Sequence, residues 1–277
     1  MDEIGRHTLR ERRPKDAYWA VIPAYNEAAT VRDVAIRARE QLANVIVVDD
    51  GSTDGTAQVL SGLDVTVLHN KTNCGKAASL CYGFEYALDR GAVGVVTLDA
   101  DGQHAPEEIS RFVRQSLHEP NTLLVGARES QERRRSVWRY LANRIADFWI
   151  SWAAGRWIED SQSGFRLYPS TMLRGAILQH DKARSFVYES EILIESARLG
   201  FDCRTITVTV RARAGESPSH FRPLSDIAGI TKMVAVRLLA RGLYLPGLVR
   251  AVREYVSRNR VIEAESNAMP EVTRKVL

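Results

Sequence analysis

The chain has 277 residues, 45% hydrophobic, 26% charged and 8% aromatic, with a formal net charge of +4 from 38 basic and 34 acidic residues. That balance excludes collagen-like, disulfide-dense and wholly disordered chains, and it supplies enough apolar material for one large or two small domains. Arginines concentrate at Arg6, Arg10, Arg12 and Arg13, in Arg133-Arg134-Arg135, and towards the C-terminus. These clusters read either as solvated faces or as attraction to an anionic substrate or a membrane surface. Cys74, Cys81 and Cys203 make no disulfide framework and no metal-ligand spacing, and free thiols suit a reducing cytosol. The N-terminal stretch has no apolar signal core, and the most hydrophobic window, 148–158, is too short to span a bilayer. The expectation is a cytoplasmic chain, soluble or peripheral at the inner face of the cytoplasmic membrane.

Residues 1–16 are charged and aperiodic, and read as a flexible arm. Apolar runs then alternate with helical patterns. Strands are expected at 17–23, 45–48, 65–68, 93–98 and 123–125. Helices are expected at 27–40, 53–61, 76–90 and 106–117, the last with Pro106 in its first turn. Such alternation builds βαβ units and a mostly parallel sheet. Beyond it, 137–154 reads as a long helix, 163–168 as a strand, 188–199 as a helix and 204–211 as a half-buried strand. A basic amphipathic segment runs over 230–256, broken at Gly242–Pro246, and a loose tail is expected from 259. No internal repeat is present.

In parallel sheets ligands bind beyond the carboxyl ends of the strands, and the polar residues gather there. Asp99-Ala100-Asp101 ends the fourth strand. Two carboxylates one residue apart suit Mg²⁺ or Mn²⁺, which also take substrate phosphate oxygens, and Gln103 adds a carbonyl. The plainer alternative is an acidic turn with a helix cap before Pro106. Asp49-Asp50 ends the second strand, where carboxylates can accept hydrogen bonds from ribose hydroxyls or a base N–H, with Ser52 or Thr53 capping the next helix. At the first strand Tyr25 can stack on a base, Glu27 can accept a hydrogen bond, and Asn26 reads as a helix cap. Glu189 and Glu191 should face opposite ways on their helix, one towards the site. Phe148, Trp149, Trp152 and Trp157 can line an apolar groove, although helical spacing favours core packing for at least half of them.

The ordered set IPAYNE, VVDDGSTDGT, N-x-GK, LDADGQH, GAR and SGFRLY resembles the family 2 glycosyltransferases of the GT-A fold, and within them the dolichyl- and polyprenyl-phosphate mannosyl- and glucosyltransferases. The resemblance covers about 17–222, leaving 223–258 as an amphipathic helical segment and 259–277 as the tail. It implies a metal-dependent inverting transfer from a nucleotide sugar to a lipid-linked acceptor, with a polyprenyl phosphate first, a polyene, acyl lipid or glycan acceptor as alternatives, and a non-catalytic nucleotide-sugar binder as another. By resemblance Pro23, Tyr25, Glu27, Val48 and Asp50 hold the nucleoside. Asp99, Ala100 and Val187 touch the donor. Asp99, Asp101 and Gln103 hold Mg²⁺ or Mn²⁺, and Arg128 faces the donor sugar or the acceptor phosphate. Asp160, in the D-x-x-S-G-F-R segment, is either the base that takes the acceptor proton or a residue that orders Arg166 or Arg128.

Residues 211–222 resemble a basic loop that closes over the diphosphate, giving Arg213, His220 and Arg222 phosphate contacts. Pro218 stands where the lipid-phosphate branch usually has Lys, and the transmembrane helices of some relatives are replaced by the 230–256 segment. Either that segment docks on a membrane surface or it packs on its own domain. Two other classes fit less well. An aspartyl-phosphate phosphohydrolase needs its D-x-D after the first strand. A nucleic-acid binder is disfavoured because strand-end carboxylates repel a phosphate backbone and no recognition motif is present.

Overall fold

The computed structural model describes residues 14–128, 137–176, 185–210 and 223–268. Seven strands form one sheet in the order β3-β2-β1-β4-β6-β5-β7. They are β1 (Tyr18–Ala24), β2 (Asn44–Asp49), β3 (Thr66–His69), β4 (Gly94–Thr97), β5 (Thr122–Arg128), β6 (Arg166–Pro169) and β7 (Asp202–Val208). The helices are α1 (Val31–Gln41), α2 (Thr56–Val59), α3 (Lys76–Asp89), α4 (Ile109–His118), α5 (Val137–Ala154), α6 (Ser170–Gly175), α7 (Ser185–Arg198), α8 (Pro223–Ala240) and α9 (Leu245–Ala268). The sheet is α/β and mostly parallel, as the alternating sequence requires.

Period-2 alternation divides the core between the two faces. On β1, Tyr18, Ala20 and Ile22 face α1 and α4, with Val45 and Val47 of β2 beside them. Val21, Ile46 and Val48 face the opposite way, into a core shared by α3, α5, α7 and α8. Every one of these strand residues is at least nine-tenths buried, so both faces are covered, as a parallel sheet demands.

β6 is the one reversed strand in the sheet. It runs antiparallel to both β4 and β5, with Arg166 in register with Thr97 and with Val125. A reversed strand starts where its neighbours end, so the 155–165 loop arrives at the carboxyl ends of β4 and β5. Thr97 Oγ1 donates to the Gly164 carbonyl at 2.8 Å and the Gly126 N–H to that of Phe165 at 2.8 Å, which fixes the loop there.

The loop is also held from within by a fully buried arginine. Arg166 donates to the carbonyls of Ser163 (2.8 Å), Ser161 (2.7 Å) and Glu189 (2.5 Å). On its other side, Asp147 of α5 accepts from the Ser161 N–H at 2.8 Å and from its hydroxyl at 2.7 Å.

The loops after β1 and β2 are laced to each other, and here the structure corrects the sequence reading. Ser52 and Thr53 do not cap a helix. Ser52 Oγ accepts from the Asn26 N–H at 2.9 Å, and Asn26 Oδ1 accepts from the Thr53 N–H at 2.9 Å. Asn26 itself lies at φ +55° within the loop, while α1 begins after Thr30. The helix expected at 53–61 is the short α2, and Asp54 bridges the two loops, accepting from the Ala28 N–H and the Thr56 N–H, each at 3.0 Å. Long-range partners won over local capping because each otherwise orphaned loop N–H found a side-chain acceptor on the facing loop.

At the C-terminal end, α9 continues to Ala268, into the stretch expected as a loose tail from 259. Residues 259–268 include Arg, Glu and Ala, good helix formers, and no Gly or Pro interrupts them. The first thirteen residues of the expected N-terminal arm lie outside the described residues.

Two outcomes follow. Arg166→Met removes three charge-assisted hydrogen bonds and leaves buried carbonyls unpaired, so it should cost about 3–5 kcal/mol of stability, read from urea unfolding. For Asp54, burial works to raise the carboxyl, but Thr56 and the Ala28 N–H hold it below the ordinary carboxylate range. A depressed folded-state value adds stability above the unfolded pKa that is lost as pH falls through the folded one. Asp54→Asn should therefore be less stable than the parent at pH 7, with the gap closing as pH drops below about 4, as urea midpoints across that range will show.

Candidate functional site

The polar residues at the carboxyl ends of the strands meet in one place, and a line of alternating charge organises them. Lys76, the first residue of α3, sits between two carboxylates, 2.7 Å from Asp99 Oδ1 and 2.9 Å from Glu189 Oε2. A lysine in the first turn opposes the helix dipole, so its place there is justified by these partners rather than by the helix. Burial alone would lower the Lys76 ammonium; Asp99 and Glu189 outweigh it and raise the group above its ordinary value. Burial likewise works to raise Asp99, and Lys76 and His104 hold it below the carboxylate range. Glu189 Oε1 is buried with no hydrogen-bond partner among the described residues. Glu191 points away, to Arg237 of α8 at 3.4 Å, as the helical spacing predicts.

Gly164 is what allows this packing. A Cβ at that position would stand 2.7 Å from Asp99 Oδ2 and 2.9 Å from Lys76 Nζ, inside van der Waals contact. The glycine of the SGFR segment therefore marks the place where the reversed loop presses on the acidic turn.

A second pair closes the other side. Asp160 is 1% exposed, and its two oxygens take Arg128 in a fork. Oδ2 accepts from Nε at 2.9 Å and from the Arg128 backbone N–H at 2.8 Å, while Oδ1 accepts from Nη2 at 2.7 Å. Asp160 lies at φ +52°, uncommon for a residue with a Cβ and tolerated best by Asp and Asn. In this structure both oxygens of the carboxylate are engaged by Arg128. Arg166 is ordered by backbone carbonyls instead.

Asp101 accepts from the Gln103 N–H at 3.0 Å, which curls the D-x-D-G-Q turn. Next to it His104 is 6% exposed, and among the described residues its Nδ1 has no hydrogen-bond partner. Burial pushes its imidazole down, against the pull of Asp99 and Asp101. His104 also bridges to Val210, the last described residue before 211–222. The expectations for Arg213, His220 and Arg222 lie outside the described residues, as does the loop that would carry them.

Asp50 is buried and already well supplied with protein donors. Oδ1 accepts from Asn70 Nδ2 and the Cys74 N–H, each at 2.8 Å, and Oδ2 from the Gly75 N–H at 2.7 Å. It thereby fixes the turn that delivers Lys76. Asp49 accepts from the Ser52 N–H at 3.1 Å and pairs with His69 at 3.2 Å. Gly51, at φ +71°, permits the sharp turn between them, where a Cβ would meet the Thr72 carbonyl carbon at 2.7 Å. Pro23, Tyr25 and Glu27 are half-buried at the end of β1. Val48 and Ala100 are buried in opposite cores, so a ligand would meet their backbone rather than their side chains. Val187 is 8% exposed in the core and faces Gly229 of α8.

Among the described residues no group of three or more His, Cys, Asp or Glu is placed to hold a metal. The donor set at the D-x-D turn, two carboxylates and one amide, is instead the set that Mg²⁺ or Mn²⁺ uses when it completes its shell on substrate phosphates. The hard oxygen chemistry fits such an ion, with Asp99 shared between that role and Lys76.

Sequence reasoning singled out Asp99, Asp101, Arg128, Asp160 and Glu189, and the structure gathers them around three ion pairs at one rim, two on Lys76 and one on Arg128. It gave no role to Lys76, whose signal was a cation in the wrong helical turn, or to Gly164 and His104. Phe148, Trp149, Trp152 and Trp157 all line a separate apolar groove, and Trp149 and Trp152 also back onto the core.

Comparison with known proteins gives the family and the fold. Residues 19–177 match the family described as Glycosyl transferase family 2. The chain is 28% identical over 212 residues to polyprenol monophosphomannose synthase of Mycolicibacterium smegmatis, covering 73% of this chain and 80% of that one. It is 28% identical over 213 residues to undecaprenyl-phosphate mannosyltransferase of Micrococcus luteus, covering 71% and 85%. In fold it is similar to glucosyl-3-phosphoglycerate synthase of Mycobacterium tuberculosis, solved with Mn²⁺, uridine diphosphate and glucosyl-3-phosphoglycerate, at a TM-score of 0.59 with 22% identity over 82% of each chain. With more than half its length matched to that family, the chain belongs to glycosyl transferase family 2 and is a glycosyltransferase.

Proposed function

We propose that this enzyme moves a sugar from a nucleotide-sugar donor to a lipid-linked acceptor, a polyprenyl phosphate before all others, with inversion at the anomeric carbon. The observation that carries the reading is the meeting of Asp99, Asp101, Lys76 and the Arg128–Asp160 pair at the ends of β4 and β5. The acceptor class is supported by the relatives, which are named for polyprenol, undecaprenyl and, in a Methanococcus voltae relative 27% identical over 197 residues, dolichyl phosphates.

In this reading Tyr25, Glu27 and the backbone at Pro23 and Val48 hold the nucleoside, and Asp50 adds its remaining acceptor capacity to the base or ribose. Asp101 and Gln103, with Asp99, would hold Mg²⁺ or Mn²⁺. Bound there, the ion offsets the charge that grows on the departing diphosphate. Arg128, partly exposed and held rigid by Asp160, meets phosphate oxygens or a sugar hydroxyl without reorganising. Lys76 keeps Asp99 ionised.

A phosphate acceptor is already anionic and needs no base, and a single in-line displacement inverts the anomeric centre. That suits an Asp160 whose oxygens are both on Arg128, which makes it a positioning residue. A polyene, acyl or glycan hydroxyl would need a base to take its proton, and Asp160 as placed would have to release Arg128 to serve. Val187 supports α7 from the core in this scheme. The enzyme would work at the cytoplasmic face of a membrane as a peripheral protein. No described helix is long and apolar enough to cross a bilayer, while several apolar side chains of α8 and α9 are turned outward.

The test is transfer of radiolabelled sugar from GDP-mannose, UDP-glucose or UDP-N-acetylglucosamine to a short prenyl phosphate with Mn²⁺, the donor chosen first by thermal shift, because a ligand that binds the native state raises its midpoint. Asp101→Ala should lower transfer by at least about 100-fold. Chelation should abolish the wild-type reaction, and added Mn²⁺ should restore it. Full activity in Asp101→Ala would remove this residue from the ion's ligands; no transfer from any donor would sink the reading as a whole.

A further inference from the structure

Away from the charged rim, α5 and α9 enclose an open groove of about 490 Å³, within the range of small-molecule sites. Its walls are aromatic and aliphatic. The rings of Trp149 and Trp152 stack with centroids 5.4 Å apart, and Phe148 meets Trp149 edge-on at 5.7 Å. Among the described residues that line it, the one charged side chain is Arg144. Its guanidinium lies 5.4 Å from the Trp157 ring centroid and 5.5 Å from that of Tyr255, and it donates to the Tyr255 hydroxyl at 3.2 Å.

The groove opens onto an apolar face that the fold leaves uncovered. On α9, Leu245, Val249, Val252 and Val256 recur at i, i+4, i+7 and i+11, and each is more than two-fifths exposed. That is the spacing of a buried helical stripe, here turned outward. Ile145 and Phe148 of α5, which line the groove, are 43% and 40% exposed. Arg250 and Arg253 interleave with these residues. An apolar stripe edged by cations is the pattern of a helix lying on an anionic lipid surface.

The groove and the rim also share a loop. Trp157 lines the groove, and its N–H donates to Glu254 of α9 at 2.8 Å. Three residues later Asp160 grips Arg128. We propose that this groove seats the hydrocarbon chain of the lipid phosphate acceptor, taken from a bilayer on which the α9 stripe rests. The inference rests on the acceptor class given above. One cation among apolar walls matches a ligand with one anionic end and a long hydrocarbon. An acidic peptide would need polar partners for its backbone, and the groove walls are too apolar to supply them.

The full-length protein carries its own reporter, since three of its five tryptophans line the groove. Dodecyl phosphate brominated at the chain end should quench that fluorescence saturably, and methyl phosphate should not. The paired substitution Ile145→Asp and Val252→Asp places charge at two exposed groove positions, where the fold tolerates it. It should weaken quenching by about tenfold, and it should lower the ratio of kcat/KM for a long prenyl phosphate over a short one by about tenfold. Unchanged quenching, or an unchanged ratio with both lipid phosphates still used, overturns the seat and leaves the acceptor class standing. Equal quenching by brominated phosphatidylglycerol assigns the groove to bulk phospholipid and overturns it. A dimer that the paired substitution dissolves gives the face to a second copy of this chain and also overturns it. Chain-dependent quenching without transfer to any lipid phosphate overturns the acceptor reading and, with it, the identity of the occupant.

Discussion

The rim depends on a cation that never reaches it. Arg166 is fully buried and spends its guanidinium on the carbonyls of Ser161, Ser163 and Glu189. Burial works to lower its pKa, and the field of Tyr168 and Glu189 raises it. From there the charges alternate in sign through Glu189 and Lys76 to Asp99. Each member compensates its neighbours in a region too poorly hydrated to leave a charge alone. Remove the buried guanidinium and Glu189 keeps one cation where it had two, while the loop loses the donor that folds it. The geometry of the surface pair at Lys76 is thus inherited from a residue two shells deeper.

The other half of the rim is fixed differently. Arg128 ends β5, and Asp160 takes both its side chain and its backbone N–H. The strand end and the guanidinium are held by the same carboxylate, so neither turns without the other. Asp160 meets this demand from a left-handed backbone conformation, closed by the Ser163 N–H on its own carbonyl at 2.9 Å. Strain of this kind persists only where the surroundings over-determine it. Here Asp147 and Arg166 hold the following residue, Ser161, from two sides. A cation so restrained would have little to reorganise beside a negative charge, the condition under which electrostatic stabilisation is worth most.

Much of this was legible from the residues. Continuous apolar runs at 45–48 and 93–98 can bury both faces only in a covered parallel sheet, and carboxylates at their ends mark the ligand side. The reversed strand was visible only as a strand. Four residues ending in Pro169 carry no signal of direction, which is set by where the chain re-enters after α5. The lacing of the first two loops was misread because Ser52, Thr53 and Asn26 satisfy a local capping rule equally well. Their actual partners are 26 and 27 residues distant, and nothing in a local pattern ranks such a partner above a helix end. Val48 and Val187 were drawn into the site by their motifs, yet their side chains serve the core. A motif records every residue that a site needs, including those that only place the backbone. The far end of α9 was missed because its residues carry charge without an apolar period, and helix propensity alone gives a weak reading.

Of the two sequence readings of the C-terminal segment, the structure bears on packing, and it differs between α8 and α9. Ile230, Met233, Val234 and Leu238 of α8 are buried in the core, so that helix packs on its own domain. α9 turns only part of its apolar material inward and leaves a stripe facing out. It is nevertheless tied to the catalytic domain at defined points, through Glu254 to the Trp157 N–H and through Tyr255 to Arg144. The first of those ties ends in the loop whose Asp160 holds Arg128, the second on α5. A hydrocarbon chain seated beside Trp157, as proposed, would lie against the segment that three residues later grips Arg128 through Asp160, so groove and rim would be coupled through the covalent chain itself.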